Sequence, residues 1–171
     1  MTLLRRFGLL SLLLLVAAPV ASAAQGRTAA TPRQGTSTER AVIAAMNEVR
    51  AEHGLRPLRF AAGLWRAARD HSRDMGLNDY FSHASLDDGA SFDERVLQFQ
   101  SRRQVRWLGE TIGWGAGALA EPREMVRMWM ESPPHRRTIL DPRFRLVGVG
   151  VWAGTFQGYD GVRVFTADLG G

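Results

Sequence analysis

Apolar residues recur at helical spacing from residue 42 onward. Val42, Ile43, Met46 and Val49 form a first stripe, with Glu39 in its first turn and hydroxyls at 36–38 as candidate caps. Gly54 stands where a helix ends. Leu64, Trp65, Ala68, His71, Ser72 and Met75 form a second stripe, expected to stop at Gly76. Phe92, Val96 and Phe99 predict a short third helix capped near Ser91. Pro122 opens a fourth, with Met125, Val126, Met128 and Trp129 on its apolar face. Ser132-Pro133-Pro134-His135 ends that helix and starts a short helical turn running to Leu140. The period then changes. Residues 146–152 and 162–168 read as strands around a turn at 158–161. Residues 107–113 read as a further extended segment, broken by Gly113, Gly115 and Gly117. Helices precede strands, so the pattern predicts an α+β fold with an antiparallel sheet.

The first residues stand apart from this pattern. Arg5 and Arg6 precede an apolar run from Phe7 to about Val20, and Ala21-Ser22-Ala23 is a small-residue cleavage pattern. Residues 1–23 therefore read as a secretory signal peptide, too short in its apolar run for a spanning helix. Residues 24–37 are small and polar, with Gly26, Pro32 and Gly35, and read as a flexible linker. Residues 38–171 are the folded domain. No other segment is apolar enough to span a membrane, so the expected location is secreted or periplasmic.

Composition narrows the chemistry. There is no cysteine, which excludes disulfides, a cysteine nucleophile, a thiolate metal site and a lipid anchor on cysteine. Stability must come from core burial. All 22 basic residues are arginine, against 17 acidic ones. Loss of Arg5 and Arg6 with the leader lowers the formal charge from +5 to +3. That is weak basicity, and no nucleic-acid partner is expected for an exported chain.

Several short motifs occur in a fixed order: Asn47…Arg50…Gly54-Leu55…Leu58, then Phe81-Ser82-His83, then Gly109-Glu110-Thr111-Ile112. Trp129…Ser132-Pro133…His135…Ile139-Leu140 and Val147-Gly148-Val149-Gly150 follow. Together they resemble the CAP superfamily of cysteine-rich secretory proteins, antigen 5 and pathogenesis-related class-one proteins. The likeness is to the cysteine-free bacterial branch, the SCP-like extracellular proteins, and covers nearly all of residues 38–169. The resemblance implies a three-layer α–β–α sandwich with a small antiparallel sheet. It also implies a cleft lined by two histidines and two acidic residues. Matched by motif, these positions are His83, Glu110, His135 and Ser132. The last departs from the pattern, being a serine. Glu131 is adjacent, but one residue along a helix turns about 100° away.

Two imidazoles and a carboxylate suit a divalent metal such as zinc, so the resemblance implies His83, His135 and Glu110 as its ligands. The other reading of His83 is a loop histidine bonded to a carbonyl; that of His135 is a solvent-facing ring at a helix start. Glu110, among Trp107, Leu108 and Ile112, needs a partner, either a cleft histidine or an arginine. Ser132 before two prolines reads as a helix cap accepting from the His135 amide. Asn47 and Arg50 read as hydrogen-bonding posts, and Trp65, Trp107, Trp129 and Trp152 as core. The expected function is an exported binding module whose cleft takes a divalent metal or a small ligand. The alternatives are a metal- or histidine-dependent hydrolase, peptidase or esterase, and a lipid or sterol carrier. An envelope polymer is a further candidate partner, through Arg102, Arg103 and Arg106.

Overall fold

Glycine at 148 and 150 decides how closely a helix can lie on the sheet. A computed structural model describes residues 35–86 and 88–171. The leader and most of the linker fall outside the described residues. The elements run α1 (Ser37–Glu52), β1 (Arg59–Phe60), α2 (Ala62–Asn78), α3 (Phe92–Leu97), β2 (Leu108–Ala116), α4 (Pro122–Glu131), α5 (Pro133–Ile139), β3 (Leu146–Phe156) and β4 (Tyr159–Gly170). The sheet has four strands in the order β1-β3-β4-β2. β2, β4 and β3 pair antiparallel. The two-residue β1 adds a parallel contact to Leu146 and Val147 of β3, so the sheet is mixed. The arrangement is the α–β–α sandwich that the resemblance implies.

Alternation along the strands sorts their side chains between two helix layers. On one face Val147, Val149, Phe165, Ala167 and Leu169 meet Val42 and Met46 of α1, Met125 and Trp129 of α4, and Ile139 of α5. This is the larger core. Arg50 is buried beside it and donates to four carbonyls: Arg56 at 3.0 Å, Ile139 at 2.6 Å, Asp141 at 3.1 Å and Phe144 at 3.1 Å. Burial lowers its pKa first, then the Arg145 charge. Asn47 exchanges hydrogen bonds with the backbone of Leu58 at 3.1 and 2.7 Å. Both residues hold the connector between α1 and α2, as their types suggest.

The opposite face carries Glu110, Asp168, Gly148 and Gly150 and is covered by α2. A Cβ at Gly148 would stand 1.9 Å from the Trp65 amide nitrogen, and one at Gly150 would stand 2.3 Å from the Ala68 carbonyl. Only glycine admits the helix backbone at this distance. Ser72 completes the contact by donating to the Gly150 carbonyl at 2.9 Å.

Several boundaries differ from those the sequence suggests. α2 does not stop at Gly76; it runs to Asn78 and ends at Asp79 in the left-handed region, φ 53°. Gly76 instead leaves room for the Trp152 ring, 2.1 Å from where its Cβ would be. β2 passes through Gly113 and Gly115 rather than breaking there, because Met125 and Trp129 of α4 press on Gly113. The β3–β4 turn is Gln157-Gly158, both at positive φ, which is the geometry that matches strand twist in a two-residue hairpin. Trp65 and Trp129 are core, whereas Trp107 is half-exposed beneath the Arg143 guanidinium, 4.3 Å from its ring centroid. Among the described residues no helix is long and apolar enough to cross a membrane.

His71 on α2 is buried and anchors the loop that follows. Its Nε2 lies 2.9 Å from the Ser82 carbonyl, so the neutral ring donates there. Burial lowers its pKa, opposed by the Glu110 charge and reinforced by Arg95.

Two outcomes are expected. Gly150→Ala drives a methyl into helix backbone and should cost about 3 kcal/mol or more in urea denaturation; a loss below about 0.5 kcal/mol would contradict the packing described. The second follows from His71. Unfolded, its imidazole takes up a proton near pH 6.5, before the folded one does. The unfolded state therefore binds more protons as pH falls below that value, and stability declines. His71→Gln should flatten the loss of stability between pH 7 and 5, measured by denaturation at each pH. Identical slopes in parent and variant would show that His71 is not buried in its neutral form.

Candidate functional site

His83 lies on the loop between α2 and α3, and this loop is tied down on several sides. The left-handed turn at Asp79 redirects the chain. The Asp79 carboxylate accepts from the Gln157 amide at 2.6 Å, and Gln157 Nε2 donates back to the Asp79 carbonyl at 2.8 Å. The loop is thereby pinned to the β3–β4 hairpin. The Tyr80 hydroxyl bonds Asp74, its ring meets His71 edge-on at 6.3 Å, and its pKa is raised, by burial first and Asp74 second. His71 holds Ser82 from below. The residue next to His83 is thus fixed through its carbonyl, and His83 itself through its ring.

That ring meets Glu110. His83 Nδ1 stands 2.7 Å from Glu110 Oε1. Glu110 Oε2 accepts from Arg95 Nη2 at 2.5 Å. The Glu110 side chain is 1% exposed, while that of His83 is 52% exposed. One carboxylate is therefore sunk at the base of the site, with a buried arginine on one oxygen and a half-exposed imidazole on the other. Arg95 also reaches the His83 carbonyl at 3.3 Å and Ser85 Oγ at 3.2 Å. Both partners suggested for Glu110, histidine and arginine, are present at once.

The pair has a further neighbour. Asp168 faces Glu110 across the β2–β4 register and is fully buried. Burial and then the Glu110 charge push its carboxyl well above the usual range. Two ionised carboxylates would only repel, and as acceptors neither Asp168 oxygen has a partner. Burial beside a second carboxylate favours the protonated form of Asp168. Arg95 is the cation set beside this pair, on the second Glu110 oxygen.

His135 occupies the first turn of α5 and is half-buried. Its ring centroid is 6.4 Å from that of His83, with the planes at 60°. Burial, then the proximity of His83, lowers its pKa, so it is neutral at neutral pH. Ser132 is at the N-cap position of α5, but its hydroxyl makes no capping bond. Pro134 at the second helical position has no N–H to offer a cap, and the bond expected from the His135 amide is not made. Glu131 is exposed and paired with Arg127, turned from the cleft as helix rotation requires.

The structure thus brings His83, Glu110 and His135 into one neighbourhood, with Ser132 at the start of the helix that carries His135. The contact from Glu110 takes up His83 Nδ1, and Nε2 is the ring nitrogen outside that contact. Neutral His135 keeps a lone pair. The donor set fits a metal held by two imidazoles, with the carboxylate orienting one of them. Among the described residues no three His, Cys, Asp or Glu side chains form a metal-holding group. Arg95, Asp168 and His71 were not singled out as site residues from the sequence. Asp168 alone carries a visible signal, an acidic residue on the apolar alternation of a strand.

Comparison with known proteins agrees with this architecture. Residues 43–168 match the model of CAP, the cysteine-rich secretory protein family. The YkwD protein of Bacillus subtilis (strain 168) is 32% identical over 147 residues, covering 82% of this chain and 55% of its own length. The membrane protein YlbC of the same organism is 31% identical over 119 residues, 68% of this chain and 32% of its own. This chain therefore spans about half or less of the length of these relatives. Among solved structures, an extracellular protein of Bacillus anthracis containing an SCP domain superposes with a TM-score of 0.63 at 26% identity, over 78% of this chain and 40% of its own. An outer surface protein of Borrelia burgdorferi shares the fold, with a TM-score of 0.65 at 17% identity over 79% of this chain and 95% of its own. The match across most of the folded domain, with its motifs converging on one cleft, shows that the chain belongs to the CAP family of cysteine-rich secretory proteins.

Proposed function

We propose that the protein is a secreted or periplasmic binding module. Its cleft takes a divalent metal or a small polar ligand at His83 and His135. The observation that carries this reading is the His83–Glu110 hydrogen bond of 2.7 Å with the second imidazole 6.4 Å away, centroid to centroid. A carboxylate that holds one imidazole nitrogen fixes the tautomer and sharpens the other nitrogen as a donor to a metal or an acceptor from a ligand. His135 supports the same use, since its lowered pKa keeps its lone pair open at neutral pH. A bound divalent cation would supply Lewis acidity to an oxygen-bearing ligand.

The His83–Glu110 pair also favours a second reading, a hydrolase in which His83 takes a proton from water. Glu110 then stabilises the imidazolium, as an acidic partner does for a catalytic histidine. The exposure of His83 places its free nitrogen within reach of solvent and ligand.

Calorimetric titration of the purified protein with zinc tests the primary reading. Saturable binding near one equivalent is expected. His83→Ala and His135→Ala should each weaken it by more than about tenfold, and Glu110→Gln by roughly ten- to a hundredfold through loss of orientation. Zinc binding indifferent to both histidine changes would overturn the assignment. If zinc does not bind at all, zinc is excluded as the ligand, and turnover of peptide and ester substrates that vanishes in His83→Ala would support the hydrolytic reading instead.

A further inference from the structure

The outer face of α2, away from the cleft residues named above, carries arginines at 66, 69 and 73. Spacings of three and four residues place them on one side of the helix, rising by about 4.5 and 6 Å along its axis. They border a groove of about 280 Å³ between α2 and β3, whose other walls are Trp65, Val151 and Trp152. From Gly148 onward β3 has no strand on its outer side, because β1 pairs only with Leu146 and Val147. The groove therefore runs between a helix and an open sheet edge.

Its charge is unbalanced. Among the described residues Arg66 and Arg73 have no carboxylate within ion-pair distance, and both are exposed. Arg69 leans over the Trp65 ring, 5.1 Å from the centroid, and stands 3.5 Å from the buried Glu39 carboxylate. Among the described residues Asp70 is the one acidic residue lining the groove. A row of arginines usually solvates a helix, but here it is set beside an aromatic wall.

Trp152 makes the wall a built feature. Its ring packs where Gly76 and Gly154 lack side chains; a Cβ at either would stand 2.1 or 2.3 Å from it. Two glycines on different elements thus seat one indole, which remains partly exposed. Seating a large apolar ring at the surface costs free energy unless something covers it.

We propose that this groove binds an acidic saccharide chain. A sugar ring would lie on Trp152 through its apolar face, and carboxylate or phosphate groups on the chain would pair with Arg66, Arg69 and Arg73. The planar guanidinium suits both anions bidentately. Spacing along the helix is comparable to the length of one sugar ring, so successive acid groups can each meet an arginine. A nucleic acid would offer similar chemistry, but single strands are gripped by successive stacking platforms. Here Trp65 is 5% exposed and already covered by Arg69, which leaves one.

Titration of the full chain with trigalacturonate, followed by tryptophan fluorescence and calorimetry, tests this. Saturable binding is expected, weakened about tenfold or more in Arg66→Gln/Arg73→Gln. Polyphosphate in place of the uronate separates phosphate from carboxylate as the preferred acid group. Trp152→Phe should remove the emission change while keeping the fold. Because Trp152 is also packed, the arginine pair, which is exposed, gives an answer even if that variant unfolds. No binding of either acid by the parent would overturn the proposal. So would equal affinity in the arginine variant, equal affinity for cellotriose, or tighter binding of oligothymidylate.

Discussion

The contact between α2 and β3 governs the geometry of everything above it. Helix backbone rests directly on strand backbone at Gly148 and Gly150, with no side chain between them. This sets the height of α2 over the sheet and so the depth of His71. His71 in turn fixes the Ser82 carbonyl, and the next residue is His83. A methyl group at either glycine would lift the helix and carry the loop away from Glu110. The site is therefore assembled by packing, not by local sequence: its members come from a loop, a strand and a separate helix.

Charge placement beneath the cleft follows the rules for buried ions. A lone carboxylate at the position of Glu110 would be costly. Arg95 supplies the counter-charge and His83 a second hydrogen bond, while burial and then Glu110 push the Asp168 carboxyl up. Both Glu110 oxygens are thereby committed at a fixed point. Glu110 therefore acts on the cleft through His83. The same face of the sheet that carries this polar cluster continues, two and four residues along β4, into Thr166 and then Val164 under α2.

Much of this was legible in the sequence, for reasons that differ from residue to residue. Helical periodicity located α1, α2 and α4, because burying one face is what stabilises them. Thr36 and Glu39 form the capping box that hydroxyls near Glu39 suggest. Glycines were harder to read. Gly76, Gly113 and Gly115 look like breaks along the chain, but the structure uses their missing side chains for Trp152, α4 and the backbone at Leu119. A close approach from a distant element leaves no local mark. β1 was invisible for a related reason, since two residues hold no periodicity. Ordered motifs placed His83, Glu110 and His135, whereas Arg95 depends on where a short helix docks. Ser132 shows the limit of local rules: its position is a cap, but its hydroxyl makes no capping bond.

The central claim is that Glu110 holds the His83 ring through Nδ1 and leaves Nε2 facing outward. Nitrogen-15 NMR of the imidazole side chains at neutral pH reads this directly. The account predicts a protonated Nδ1 on His83, hydrogen-bonded and shifted downfield, that changes in Glu110→Gln. A His83 ring protonated at Nε2 alone, unchanged in that variant, would contradict it.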